Sequence, residues 1–169
     1  MTISLYANPY NFDAKGFYFS SYEEYTEKQT SCFDSFGQQV EEFEIQHIDG
    51  AGDFAHILPP DQSNLEEWLE QAKEFDLLSE DEQQAVKWLV EDIGKDMNEA
   101  IEKAGDVCIF TGTREEYAQE FVDDCYDLER KMGDLAQYFD YDAFGRDLEL
   151  SGDIVEISFR VWVTNPHDF

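Results

Sequence analysis

Residues 61–105 read DQSNLEEWLEQAKEFDLLSEDEQQAVKWLVEDIGKDMNEAIEKAG, and their apolar spacing is helical from one end to the other. Ser63 with Glu66, and Ser79 with Glu82, have the capping-box spacing that opens a helix. Leu65, Trp68, Leu69, Ala72 and Phe75 recur on one helical face, and Val86, Leu89, Val90 and Ile93 on another. Gly94 and Gly105 stand as C-terminal stops around a short helix that carries Met97, Ile101 and Ala104. A block of about 45 residues lies near the lower limit for a self-sufficient core, so it must lean on its neighbours.

Strand signals lie on both sides of this helical block. Upstream, Ile3 to Ala7, Gly16 to Ser20 and Phe43 to Ile48 read as short strands around one helix. Ser21 and Glu24 cap that helix, and Tyr22, Tyr25, Cys32, Phe33 and Phe36 form its approximate core stripe. Gly50, Gly52, Pro59 and Pro60 then mark a boundary. Downstream, Val107 to Thr111 is strand-like, and Thr113 with Glu116 caps a helix running through Cys125. Helical signal continues over Met132 to Phe139 and Tyr141 to Leu150. Val155, Ile157, Phe159, Val161 and Val163 then alternate with mostly polar residues as one half-buried strand. The expected fold is therefore α+β. It is an elongated chain of three small modules: an N-terminal β-sheet plus helix over 1–60, a central helical module over 61–105, and a C-terminal α+β module over 106–169.

Charge is the second organising feature. Forty Asp and Glu face eleven Lys and Arg, a formal net charge of -29. It is spread as -8 over 1–60, -10 over 61–105 and -11 over 106–169, so no tail carries it. Disorder is the usual fate of such a chain. Here apolar residues make up 42% and aromatics 15%, with 14 Phe, 9 Tyr and 3 Trp, enough to fill cores under a charged skin. Self-repulsion opposes compaction and favours the extended arrangement, so the excess charge is expected to serve an interaction. At one charge per ~1.7 Å of duplex axis, such a charge matches roughly 15 base pairs, about 50 Å of DNA. A compact chain of this length has a radius of gyration of about 15 Å. Imitation of nucleic acid is therefore a physical option.

Other chemistry has little footing in the residues. Asp140-Tyr141-Asp142-Ala143-Phe144-Gly145 imitates the start of a calcium loop, but Phe144 and Ser151 occupy the fifth and twelfth positions, where ligands are required. His47, His56 and His167 form no HExxH array and no zinc spacing with cysteine. No metal or cofactor is expected, and no catalytic residue. Phosphate loops, GxSxG elbows and GxGxxG fingerprints are missing from the sequence. Direct nucleic-acid binding is excluded by scattered bases, because phosphate contacts need Lys and Arg clusters. Cys32, Cys108 and Cys125 form no CxxC pair and suit a reducing compartment, with Cys32 and Cys125 expected as small core residues. With no apolar run long enough for a span and no basic leader pattern, the expectation is a cytoplasmic protein without membrane contact.

Tyr138-Phe139-Asp140-Tyr141-Asp142-Ala143-Phe144-Gly145-Arg146-Asp147-Leu148-Glu149-Leu150 closely resembles the signature YFDYEAFGRDLEL of the ArdA antirestriction proteins. Upstream, YAQEFVDDCYDL at 117–128 is similar to the acidic helix that precedes that signature in the family, and Leu5-Tyr6-Ala7-Asn8 with Gly16-Phe17-Tyr18 more weakly resembles its opening. The resemblance covers roughly residues 113–152. It implies an elongated, curved, three-domain protein of a bacterial host cell that forms a homodimer through its C-terminal region. It also implies carboxylates set out like the phosphates of bent B-DNA. The implied target is the DNA groove of a type I restriction-modification enzyme, the methyltransferase core with its specificity subunit. The sequence departs from the family pattern at 127–134, where Arg130 and Lys131 stand and the expected proline is lacking.

The resulting expectation is a non-catalytic DNA mimic whose phosphate-like groups are Glu66, Glu67, Glu70, Glu74, Asp92, Asp96, Glu99, Glu115, Glu116, Glu120, Asp123, Asp124, Asp127 and Asp134. The signature residues Tyr138, Phe139, Asp140, Tyr141, Phe144, Gly145, Arg146, Asp147 and Leu148 are expected to be mostly structural. Phe139, Tyr141, Phe144 and Leu148 would be core, and Arg146 would pair internally with a carboxylate. The competing readings are an acidic chaperone or adaptor for a basic DNA-binding protein, and a hydrolase whose carboxylates hold a divalent metal.

Overall fold

A computed structural model describes residues 2–169. The chain is α+β, and it divides into two compact units, one ending at Ser79 and the other spanning Glu80–Phe169.

The first unit is built on an antiparallel sheet in which β1 (Ser4–Pro9) lies between β2 (Phe17–Phe19) and β3 (Phe43–Asp49). Leu5 faces Phe19 and His47, while Ala7 faces Phe17 and Ile45. Alternation puts Leu5, Ala7, Phe43 and Ile45 on the buried face. Gly16 is required where the chain returns: a Cβ there would lie 2.4 Å from both the Ala7 carbonyl and the Tyr6 hydroxyl. Helix α1 (Tyr22–Thr30) brings Tyr25 against Phe19 and Phe43, at ring separations of 5.1 and 6.1 Å. The Ser21 hydroxyl accepts from the Glu24 amide as the spacing predicted, but the Glu24 carboxylate reaches back to the amide of Ser20 rather than Ser21.

The expected aromatic stripe beyond Tyr25 is corrected by the structure. The helix stops at Thr30, and Phe33 and Phe36 lie exposed in a loop where the Asp34 carboxylate accepts from the amides of Phe36 and Gln38. An aspartate that satisfies the next turn's amides competes with helix continuation. Gly50 and Gly52, read as breakers, instead frame a short helix α2 (Gly52–Ile57), which Ala51 opens with φ +51°. Phe54 of α2 packs on Trp68 and Phe75 of α3 (Leu65–Leu77) at 5.4 and 5.5 Å, and the Trp68 indole donates to the Leu58 carbonyl. Leu65, Trp68, Leu69, Ala72 and Phe75 are all buried, as their spacing required. The cap of this segment is Asp61 paired with Asn64 around a 3-10 turn, not Ser63 with Glu66.

The second unit opens with α4 (Glu80–Glu91) and α5 (Met97–Lys103). Gly94, at φ +81°, closes α4 while the Lys95 amide returns to the Leu89 carbonyl. Val86 and Leu89 are buried together with Ala85 and Trp88; Val90 is half-buried and Ile93 exposed, because α4 ends before the stripe does. Gly105 lies inside a 3-10 turn, Ala104–Asp106, and stops nothing by a left-handed backbone.

A second antiparallel sheet places β6 (Val161–Val163) between β4 (Ile109–Thr111) and β5 (Val155–Ser158). The single strand expected over 155–163 is thus a hairpin. Arg160 takes φ +60° at the turn, and Phe159, which completed the alternation, is 88% exposed. Val163 and Trp162 are buried, and the indole donates to the Gly112 carbonyl.

Helix α6 (Arg114–Cys125) is opened by a full capping box between Thr113 and Glu116, as predicted. A short helix, α7 (Leu128–Met132), and a 3-10 turn, Gly133–Tyr138, lead to α8 (Tyr141–Ser151), capped by Asp140. Cys125 is exposed, not core as expected; Cys32 is buried, though outside any helix.

Helices α6 and α8 cross where α8 has Gly145. A Cβ there would lie 2.9 Å from the Arg114 carbonyl and 3.2 Å from the Ala118 Cβ. Replacing Gly145 with alanine is expected to separate the helices and cost about 1–3 kcal/mol, read by urea denaturation. Unchanged stability would show that the two helices are not in close contact.

Candidate functional site

Acidic side chains fall into two groups, and hydrogen bonding separates them. The first group works within the fold. Glu24 pairs with Lys28 at 2.6 Å and Glu99 pairs with both Lys95 and Lys103, at 2.8 and 2.7 Å. Glu116 accepts from the Thr113 amide and from Arg160. Arg114 clamps α8 to α6 by holding Asp142 at 3.0 Å and Glu149 at 2.6 Å. Asp61, Asp96, Asp127 and Asp140 accept backbone amides at the starts of helical turns.

The second group, Glu67 apart, has no such partner. On α3, Glu66, Glu70 and Glu74 are exposed and follow one another at four-residue intervals, with exposed Glu67 accepting from Gln71 beside them. On α6, Glu115, Glu120, Asp123 and Asp124 are exposed, as are Asp92 after α4 and Asp134 in the 3-10 turn. Among the described residues, none of these side chains except Glu67 makes a hydrogen bond or ion pair. The cations offset them only in part: Lys28, Lys95, Lys103, Arg114 and Arg160 are engaged internally, while Lys15, Lys73, Lys87, Arg130, Lys131 and Arg146 are exposed and fewer than the carboxylates around them.

Of the fourteen expected surface carboxylates, Glu99 and Glu116 are therefore bound inside the fold, and Asp96 and Asp127 double as caps. Two hollows lie beside five of the other ten, Glu66, Glu67, Glu70, Asp123 and Asp124. One of about 410 Å³ in the first unit is lined by Tyr22, Glu66, Glu67 and Glu70. Another of about 690 Å³ in the second unit is lined by Asp123, Asp124, Tyr126, Asp127 and Tyr141.

The signature region differs from expectation in two respects. Phe139, Tyr141, Phe144 and Leu148 are half-buried rather than core. Phe139 packs on Tyr141 and Phe144 at 4.9 and 5.7 Å, but Tyr138 is exposed. Arg146 is exposed and forms no ion pair among the described residues; the internal cation is Arg114, 28 and 35 positions from its partners, a distance at which local spacing carries no signal. Asp140 and Asp142, the would-be calcium ligands, serve as helix cap and Arg114 partner, and Asp147 is exposed. Among the described residues no group of three His, Cys, Asp or Glu side chains is placed to hold a metal ion. No helix among them is long and apolar enough to cross a membrane.

Fold and exposed chemistry together define an acidic α+β protein whose distinguishing surface feature is a set of unpaired carboxylates on capped helices. The chain belongs to the ArdA family of antirestriction proteins: the family model described as "Antirestriction protein (ArdA)" matches residues 11–160. No curated protein matches it. Antirestriction is thus its function, and restriction enzymes are the class of target that function implies.

The pairing also sets a pH response. Hydrogen bonds from Lys103 and Lys95 hold the Glu99 carboxyl down at about 2, against an ordinary 4.5. A pKa lowered on folding adds stability above about pH 4.5, and that contribution is lost as pH falls through about 2. A carboxyl-detected NMR titration should place the Glu99 midpoint near 2, and Glu99→Gln should flatten that part of the acid-unfolding limb. A midpoint near 4.5 would show the two lysine contacts absent in solution.

Proposed function

We propose that this chain is a stoichiometric, non-catalytic mimic of bent B-DNA. It occupies the DNA groove of a type I restriction-modification enzyme, formed by the methyltransferase core and its specificity subunit. Restriction is blocked because the substrate cannot enter, and modification is blocked too if the methyltransferase groove itself is filled.

The observation that carries this reading is the spacing of unpaired charge. Between Glu66 and Glu74, α3 presents three unpaired carboxylates over about 12 Å of helix axis, one per ~6 Å. On α6, Glu115, Glu120, Asp123 and Asp124 present four over about 13 Å, one per ~4.5 Å. These spacings lie within about a factor of two of that of a single DNA strand, which has one phosphate per about 3.4 Å. Carboxylates on helices of fixed geometry also avoid the deformation energy of order 1–6 kcal/mol that a bent duplex must supply.

Leu135, Tyr138 and Leu150 are exposed in and beside the signature. They support a homodimer formed through the C-terminal region, with the three-module organisation at 1–60, 61–105 and 106–169 and a site of action in the bacterial cytoplasm belonging to the same proposal.

Displacement is the direct test. A labelled duplex bound to a purified type I methyltransferase core should be released by near-equimolar protein. A duplex that stays bound in the presence of excess folded protein would contradict the reading and turn attention to basic protein partners.

A further inference from the structure

We propose that the loops at 10–16 and 31–39 form an aromatic docking tip for arginine side chains on a basic protein surface. The loops are tied to each other: the Asn11 amide donates to Asp34 at 3.4 Å, the Ser35 hydroxyl donates to the Asp13 carboxylate, and the Cys32 thiol reaches the Lys15 carbonyl. The second loop is also braced within itself, by the Asp34 turn, a bridge between Phe33 and Gln39, and Gly37 at φ +77°.

This bracing holds large apolar rings in solvent. Phe12 is fully exposed and Phe36 is 85% exposed, and each adjoins a residue of the inter-loop contacts. Tyr10 and Phe33 are exposed on the same two loops, and among the described residues none of the four packs against another ring. Single exposed aromatics are ordinary; four on two loops joined by hydrogen bonds make this end of the unit a candidate interaction site.

Charge selects the occupant. Asp13 and Asp34, next to Phe12 and Phe33 in sequence, already accept from Ser35, Asn11 and the Phe36 and Gln38 amides, so they bring negative charge rather than free acceptors, and the unit has sixteen acids against three bases. A second copy would bring the same charge. A nucleic acid would require a cationic groove under its stacked bases, and a membrane surface is anionic. Arginine satisfies both features, because its planar guanidinium stacks on aromatic faces while its charge is attracted by the surrounding carboxylates. Lysine gains less from the rings. Asp13 and Asp34 lie outside the carboxylates assigned to DNA mimicry, so this tip stands or falls separately from that reading.

The test uses the full chain with octa-arginine and octa-lysine peptides, titrated by calorimetry against the wild type, a Phe12→Ser/Phe36→Ser variant and a Phe12→Tyr/Phe36→Tyr variant. With roughly two- to five-fold preference per ring, the wild type should favour the arginine peptide by about 5–20-fold beyond the serine variant. The tyrosine variant should keep that preference, and octa-arginine should shift the Phe12 and Phe36 ring resonances. An arginine-to-lysine ratio unchanged by the serine substitutions would overturn the proposal. Self-association of the wild type that the serine variant abolishes would overturn it in favour of a second copy.

Discussion

Burial of apolar stripes beneath like-charged helix faces is the constraint on which the rest of this protein depends. Glu66 with Glu70, and Glu70 with Glu74, are repulsive four-residue pairs that each cost about 0.2–0.5 kcal/mol. On the opposite face of α3, Leu65, Trp68, Leu69 and Phe75 are buried, each contributing about 1.5–3 kcal/mol. The apolar side outweighs the acidic side several-fold, so α3 tolerates these three exposed glutamates with a single exposed lysine, Lys73, among them. The aromatic content of the chain follows from the same balance, since large rings bury the most area per position.

Where apolar burial is thinner, pairing supplies the difference. Helices α6 and α8 meet at Gly145 and Ala118, small residues that bring the backbones close but bury little area. Arg114 spans this contact and holds one carboxylate near the start of α8 and another near its end. Partly exposed pairs of this kind are individually weak, and their value here is in fixing the position of α8 against α6. Five of the eleven cations serve contacts within the fold, and the carboxylates left over lie on helix surfaces in excess of the exposed cations.

The sequence made the buried stripes and caps legible wherever the chemistry was local. Leu65 to Phe75 and the Thr113–Glu116 box could be read directly because periodicity and capping act within four residues. The stripe through Phe33 and Phe36 misled because aromatic spacing continued past Ser31 by chance, while the Asp34 turn that ends the pattern has no period. The 155–163 hairpin was hidden because Phe159 sustains the alternation across a tight turn. Likewise, the division of carboxylates into paired and unpaired depends on partners such as Arg114 and Arg160, which come from 28 to 44 positions away. The acidic character of the site was therefore visible in composition, and the pairing of Glu99 with lysines four residues to either side is of the local kind, but the Arg160 pair of Glu116 was not legible.

The central claim is that the unpaired carboxylates act collectively as a surrogate for phosphates. The measurement that tests it most directly is the salt dependence of binding to a type I methyltransferase core as Glu66, Glu70, Glu74, Glu115, Glu120, Asp123 and Asp124 are neutralised one after another to Gln or Asn. The account predicts that the slope of log affinity against log salt declines stepwise with each substitution, with no single change abolishing binding. Loss of binding on one substitution, or a slope indifferent to all seven, would contradict it.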